Sequence, residues 1–294
     1  MTSQRAVHAE TTPRKPLDHE VDAYGITHAG KVRSTNQDHF LLCSLHKELK
    51  VHATSLPDMG ALEPLRERLA VLAMVADGVG GGPRGEKAAR LAVEHITRYV
   101  AETTRCFYTG DANAESFINE MQEAALVAHA AVTGHASEDP EFRGMATTLT
   151  LFFGVWPSAY VLQVGDSRHY LYRLGTLTQI TRDQTMAQEL VDQGVLTRTD
   201  AFSSRLANVL SSSIGGHQTA PVVTRLQSEW GAVHLLCSDG LTKHVSDDRI
   251  KDALANMTSA KQACEDLLQA ALDDGGTDNI TLIVGRAVER PMPE

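Results

Sequence analysis

Apolar residues along this chain follow two rhythms. Short runs, continuous or alternating and closed by Gly, Asp or Pro, predict strands at HFLLC (39–43), RLAVLAMVA (68–76), TTLTLFFGVW (147–156), SAYVLQVG (158–165), RHYLYRL (168–174), AVHLLCS (232–238) and NITLIVGRA (279–287). A helical period instead marks GEKAARLAVEHITRYVAE (85–102), ESFINEMQEAALVAHAAVTGH (115–135), TMAQELVDQG (185–194) and SAKQACEDLLQAALDD (259–274). Two long helices fall together between the second and third strands, and three strands then follow almost without a break. That order argues for antiparallel hairpins rather than repeated crossovers, so the expected fold class is α+β. VWPSAY and VGDSRH supply turn residues, and sheets joined in this way commonly stack face to face.

Residues 1–20 are polar and read as a flexible tail, 21–288 as one domain, and 289–294 as a short C-terminal tail. Within the domain, 44–68 has mixed composition and reads as an insertion between two core strands. Residues 183–220 read as an excursion of helices and Ser/Gly loops.

Composition narrows the function classes. With 37 Asp and Glu against 27 Lys and Arg, the chain lacks the broad basic footprint of a nucleic-acid or anionic-membrane binder. Its four cysteines (Cys43, Cys106, Cys237, Cys264) are far apart and form no Cys-x-x-Cys pair, which suggests neither a zinc site nor a disulfide framework and fits a reducing cytoplasm. No apolar run has bilayer length, and the polar start is no secretory signal.

The chemistry sits where apolar runs stop. VADGVGGG (75–82) ends a buried run in Asp77, Ser238-Asp239-Gly240 follows AVHLLC, and Thr277-Asp278-Asn279 precedes ITLIV. Any one of these acids reads as a turn or cap residue bonded to backbone amides. Three together read as hard oxygen ligands for Mg²⁺ or Mn²⁺, with the glycine after Asp77 letting a main-chain carbonyl approach an ion. Two ions sharing one carboxylate could hold a water of lowered pKa. Upstream, GKVRSTNQD (30–38) offers Arg33, whose planar fork matches two phosphate oxygens, and Asp38, an acid able to orient water.

The stretches GKVRSTNQD (30–38), VADGVGGG (75–82), GMATTLT (144–150), VGDSRHYLYR (164–173), LLCSDGLTKHVSDD (235–248) and TDNITLIV (277–284), in that order, resemble the metal-dependent protein phosphatases, the type 2C serine/threonine family, in its bacterial branch. The resemblance spans about residues 22–288. It implies a four-layer α/β/β/α sandwich, two antiparallel sheets flanked by helices, with a centre for two Mn²⁺ or Mg²⁺ ions at one end. It also implies hydrolysis of phosphoserine and phosphothreonine by water that the ions activate. Carried over position by position, Asp77 is the carboxylate shared by both ions and Gly78 lends its carbonyl to the second, while Asp239 and Asp278 complete the first site. Asp38 orients the activated water, and Arg33 binds the phosphate. The implied partners are phosphorylated proteins, Ser/Thr kinases or their substrates, met by a cytoplasmic monomer.

Some positions depart from the family pattern. Gln37 stands where relatives often carry Glu, and Val79 where some carry a His that serves as proton donor. Arg143 and Gly144 stand where bacterial relatives carry an Asp for a third ion, which leaves that third site in doubt; Asp139 and Glu141 are nearby. Residues 181–197 correspond to the mobile flap, and Gln184 and Thr185 replace its usual His-Ser. Asp166 reads as an organiser of its own turn. GGGPRGEKAA lacks the Gly-Lys-Ser/Thr ending of a P-loop, and the 13 histidines show no zinc-protease spacing. Two rival readings keep the fold. One is a phosphoprotein-binding pseudophosphatase, against which Asp77, Asp239 and Asp278 speak; the other is a partner-switching phosphatase acting on an anti-sigma antagonist.

Overall fold

A computed structural model of the chain describes residues 14–50, 52–53, 55, 66–103 and 114–290. Two five-stranded sheets carry the fold. One has the order β1 (Val21–His28), β12 (Ile280–Ala287), β11 (Val233–Cys237), β8 (Arg168–Arg173) and β9 (Thr176–Gln179). The other has the order β10 (Val222–Gln227), β7 (Ser158–Val164), β6 (Leu149–Val155), β3 (Arg66–Ala76) and β2 (His39–Glu48). Neighbouring strands pair antiparallel throughout. A two-residue ribbon, β4 (Gly78–Val79) with β5 (Ala146–Thr147), crosses one end of the sandwich.

Burial explains the continuous apolar run of β3. Leu72, Met74 and Ala76 face a cluster shared with α1 (Pro83–Thr103) and α2 (Ala114–Glu138), while Ala73 and Val75 meet Leu236 and Ile283 of the opposite sheet. A strand covered on both faces needs apolar side chains at every position, which erases the period of two. On the far side, α6 (Asp247–Ala255) and α7 (Ala260–Asp273) bury Ile250, Leu254, Cys264 and Leu267 against the β1–β12–β11–β8 sheet. The order is therefore helix, sheet, sheet, helix, as expected.

Three boundaries differ from those expected. Residues 44–48 continue β2 and 66–68 begin β3, so both ends of the 44–68 segment are arms of one hairpin; of the rest, 51, 54 and 56–65 lie outside the described residues. Residues 14–20 are no free tail. Arg14 forks onto Glu20 at 2.7 Å through both terminal nitrogens and lies 4.9 Å over the Trp230 ring, and Arg68 reaches Asp18 at 2.9 Å. The tail expected over 1–13, the C-terminal residues 291–294 and Cys106 fall outside the described residues. The other three cysteines are free. Among the described residues no helix is long and apolar enough to cross a membrane.

One polar pair lies between the sheets. His169, fully buried on β8, sets Nε2 3.1 Å from Nδ1 of His234 on β11, beside Phe152. Nδ1 of His169 has no partner among the described residues. Burial holds His234 down to about 4, and burial together with His234 holds His169 well below its ordinary range. Below the ordinary value near 6.5, the unfolded chain takes up protons that the folded chain refuses, so stability falls as pH drops from there toward 4. Urea unfolding at pH 7 and pH 5 is expected to show this loss, and His234→Leu is expected to shrink the difference. An unchanged difference would exempt the pair.

Candidate active site

Asp77, Asp239 and Asp278 sit at the same end of the sandwich but hang from different sheets. Asp77 leaves β3, Asp239 opens a four-residue helix, α5 (Asp239–Thr242), directly after β11, and Asp278 precedes β12. Each is held by polar side chains that the apolar pattern does not reveal. The Asp77 carbonyl accepts from Thr148 N at 2.9 Å and Thr147 Oγ1 at 2.8 Å, and its N–H donates to Thr148 Oγ1 at 3.1 Å. The residues ATT (146–148) therefore fix the Asp77 peptide. Asn279, nearly buried, donates to the carbonyls of Ala29 and Thr35 at 2.9 Å each and accepts from Gln37 N at 2.9 Å. That clamp brings the 29–37 loop, and Arg33 with it, to Asp278.

The glycine after Asp77 works by close approach. A Cβ on Gly78 would lie 2.3 Å from the carbonyl oxygen of Gly85 at the start of α1. Only glycine lets the helix start pack on this ribbon.

Charge at the site is dense and only partly compensated. Arg33 forks onto Asp278, Nε to Oδ1 at 2.8 Å and Nη2 to Oδ2 at 3.1 Å. Lys243 Nζ lies 2.6 Å from Asp239 Oδ2 and 2.8 Å from Asp278 Oδ2. Burial opposes the charge on Asp278, but Arg33 and Lys243 carry its pKa below the ordinary carboxylate range. Asp38 is buried. Its Oδ2 accepts from Ser238 Oγ at 2.8 Å, while Oδ1 has no partner among the described residues, and neither has Asp239 Oδ1. Burial, opposed in part by hydrogen bonds from Thr281 and Ser238, lifts Asp38 to about 6. Asp77 rises well above its ordinary range through burial and the charges of Asp38, Asp239, Asp166 and Asp278. Burial, Asp239 and Asp183 push Asp166 up to about 8.

Among the described residues Asp38, Asp77 and Asp166 form no ion pair, and Asp38 Oδ1 and Asp239 Oδ1 lack hydrogen bonds. Both deficits are what a hard divalent cation relieves, and an all-oxygen donor set suits Mg²⁺ or Mn²⁺. With Asp239 and Asp278 turned to Lys243 and Arg33, no three His, Cys, Asp or Glu side chains among the described residues converge as a finished cluster. The residues fit the ions chemically, and two of the acids already hold cationic side chains.

A family model described as Protein phosphatase 2C matches residues 64–275. The chain belongs to the protein phosphatase 2C family. Within it, the serine/threonine protein phosphatase PstP of Mycobacterium tuberculosis is 33% identical over 218 residues, which is 74% of this chain and 40% of PstP. The chain thus spans well under half the length of that relative. The serine/threonine phosphatase stp of Listeria welshimeri is 30% identical over 75% of this chain and 85% of its own length. A crystal structure of the catalytic domain of PstP in complex with two manganese ions superposes with a TM-score of 0.70 at 28% identity, covering 92% of this chain and 99% of that one.

Asp38, Asp77, Gly78, Asp239 and Asp278 lie at strand ends, with Arg33 on Asp278, and their acids do not close into a ligand cluster among the described residues. Arg33 contacts a carboxylate, Asp278. Asp139 caps its own turn, accepting from Glu141 N at 2.9 Å. In the flap region Gln184 and Thr185 serve as anchors. Gln184 accepts from Gly165 N at 2.7 Å and donates to Ala220 O at 2.9 Å, and Thr185 caps α3 (Met186–Asp192), which α4 (Arg198–Ser203) follows. A cleft between this segment and α5 is lined by Asp166, Arg168, Asp183, Asp239, Lys243 and Thr277.

Sequence reasoning passed over Ser238, Asn279, Thr147 and Thr148. The signal available was adjacency: each lies beside a strand-end acid or in the ATT word.

Proposed function

We propose that this chain is a metal-dependent protein phosphatase that hydrolyses phosphoserine and phosphothreonine in proteins, using two Mn²⁺ or Mg²⁺ ions. The observation that carries the reading is that Asp38, Asp77, Asp239 and Asp278 lie near enough for the charges of the other three to raise Asp77, without closing into a ligand cluster, that two of them keep buried oxygens partnerless among the described residues, and that the guanidinium of Arg33 lies on Asp278. Asp77 would be the shared ligand, Gly78 would add its carbonyl, and Asp239 and Asp278 would complete the set. Bound divalent ions neutralise phosphoryl charge and lower the pKa of water.

The chain's own groups supply orientation. Asp38, with Oδ2 fixed by Ser238, keeps Oδ1 to accept a hydrogen bond from the attacking water. Arg33, half exposed on a loop, would turn its fork from Asp278 to two phosphate oxygens. Val79, exposed after the Asp-Gly pair, can donate no proton, so the leaving alkoxide takes one from solvent. The reading extends to a cytoplasmic monomer acting on phosphorylated Ser/Thr kinases or their substrates, a signalling role supported by the kinship described above.

Metal-stripped protein given Mn²⁺ is expected to release phosphate from p-nitrophenyl phosphate and phosphothreonine peptides, and to stop on chelation. Undiminished turnover in excess chelator would refute the reading, and phosphopeptide binding without hydrolysis would favour a pseudophosphatase. Arg33→Ala is expected to raise KM about tenfold, the worth of a charge-assisted contact, with a smaller change in kcat. An unchanged KM would remove Arg33 from phosphate binding.

A further inference from the structure

Lys243 puts an ammonium between two of the acids assigned to the ions. Its Nζ is 2.6 Å from Asp239 Oδ2 and 2.8 Å from Asp278 Oδ2, and its side chain is 33% exposed. The position is built into the local chain. Lys243 lies one helical turn after Asp239, its backbone N–H donates to Asp239 O at 2.8 Å, and an acid four residues before a lysine is the favourable order for such a pair. Asp278 reaches the same ammonium from the start of β12, held there by the Asn279 clamp.

The ammonium takes one oxygen from each acid and leaves Asp239 Oδ1 without a partner among the described residues. It also sits in a partly buried site, where charges are screened less than on the open surface. An ion coordinated by both carboxylates meets this positive charge at contact distance. The lysine must then swing away, or the ion binds against it.

We propose that Lys243 is a resident cation that competes with divalent ions for the Asp239–Asp278 pair and thereby sets the ion concentration at which the site fills. The proposal rests on the reading of those two acids as ion ligands. It gives Lys243 a positioning role, acting through the carboxylates and not on the phosphate.

Calorimetric titration of metal-stripped protein with MnCl₂ tests it without any turnover. Lys243→Met keeps most of the stem and removes the charge, and it is expected to lower the Mn²⁺ dissociation constant about tenfold, which corresponds to about 1.4 kcal/mol. Lys243→Arg keeps the charge and is expected to stay near the wild type. In melting experiments, Lys243→Met is expected to gain more from saturating Mn²⁺ than the wild type does. Lys243→Gln repeats the comparison should the methionine variant melt too early.

Equal or weaker Mn²⁺ binding in both uncharged variants overturns the proposal, as does equal tightening by Lys243→Arg. An unchanged Mn²⁺ affinity with a raised substrate KM also overturns it, and moves the ammonium to the phosphate. Asp278→Asn separates the two levels. If it leaves Mn²⁺ binding intact in the wild-type background, the ligand assignment itself fails and the competition falls with it.

Discussion

Asp278→Asn is expected to leave a folded protein whose kcat is lower by about three orders of magnitude, a barrier increase of about 4 kcal/mol. Asparagine keeps the shape and one acceptor oxygen, so Asn279 can go on clamping the 29–37 loop through its own amide, which Asp278 does not supply. The Arg33–Asp278 contact lies on a half-exposed arginine, and pairs of that kind contribute about 1 kcal/mol or less to stability. The loss should therefore fall on chemistry. What disappears is a full negative charge from the set that would hold the ions. Asp239→Asn should behave alike, because Asp239 stands on the opposite side of the same ammonium. Steady-state kinetics with saturating Mn²⁺, beside a melting curve, make the check. Turnover within tenfold of wild type, at unchanged Tm, would strike either acid from the ligand set.

The second large effect is on folding. A Cβ on Gly240 would lie 1.9 Å from the carbonyl oxygen of Asn279, well inside any contact distance. That carbonyl cannot retreat cheaply, since the Asn279 side chain is tied to Ala29, Thr35 and Gln37 and β12 begins one residue later. Gly240→Ala should cost about 3 kcal/mol or more, the upper range for overpacking a rigid site. Urea unfolding would show it as a lower midpoint at unchanged slope. A midpoint within experimental scatter of wild type would mean that α5 and β12 are not locked together.

Strands in the middle of a sheet announced themselves in the sequence, and of the four edge strands of the two sheets only β2 did, through its apolar start HFLLC. β3, β6, β7, β11 and β12 are covered on both faces and read as apolar runs. β1 (VDAYGITH) and β10 (VVTRLQ) are half-exposed edge strands whose side chains need satisfy only one face, and neither was expected. The short helix α6 buries only Ile250 and Leu254, too few positions to set a period. At the site, the acids and their glycines were legible because each motif is local, a carboxylate followed or preceded by a chain reversal. The bonds that bring them together were not. Ser238 meets Asp38 across 200 positions, and Asn279 meets Thr35 across 244; no window of sequence contains such a pair. Lys243 was visible only as a letter within a matching stretch, because its meaning depends on where Asp278 arrives.

The candidate ligands belong to both halves of the molecule: Asp77 follows β3, with the water-orienting Asp38 beside it at the start of β2, while Asp239 and Asp278 flank β11 and β12. An ion seated among them would rivet one sheet to the other at a single edge of the sandwich. Shear between the sheets, resisted elsewhere by non-directional contacts such as Val75 on Ile283, would then be stopped by coordination bonds. Loading and stripping the ions should on this view tighten and loosen the whole stack, and amide exchange along β3 and β12 would register it far from any phosphate.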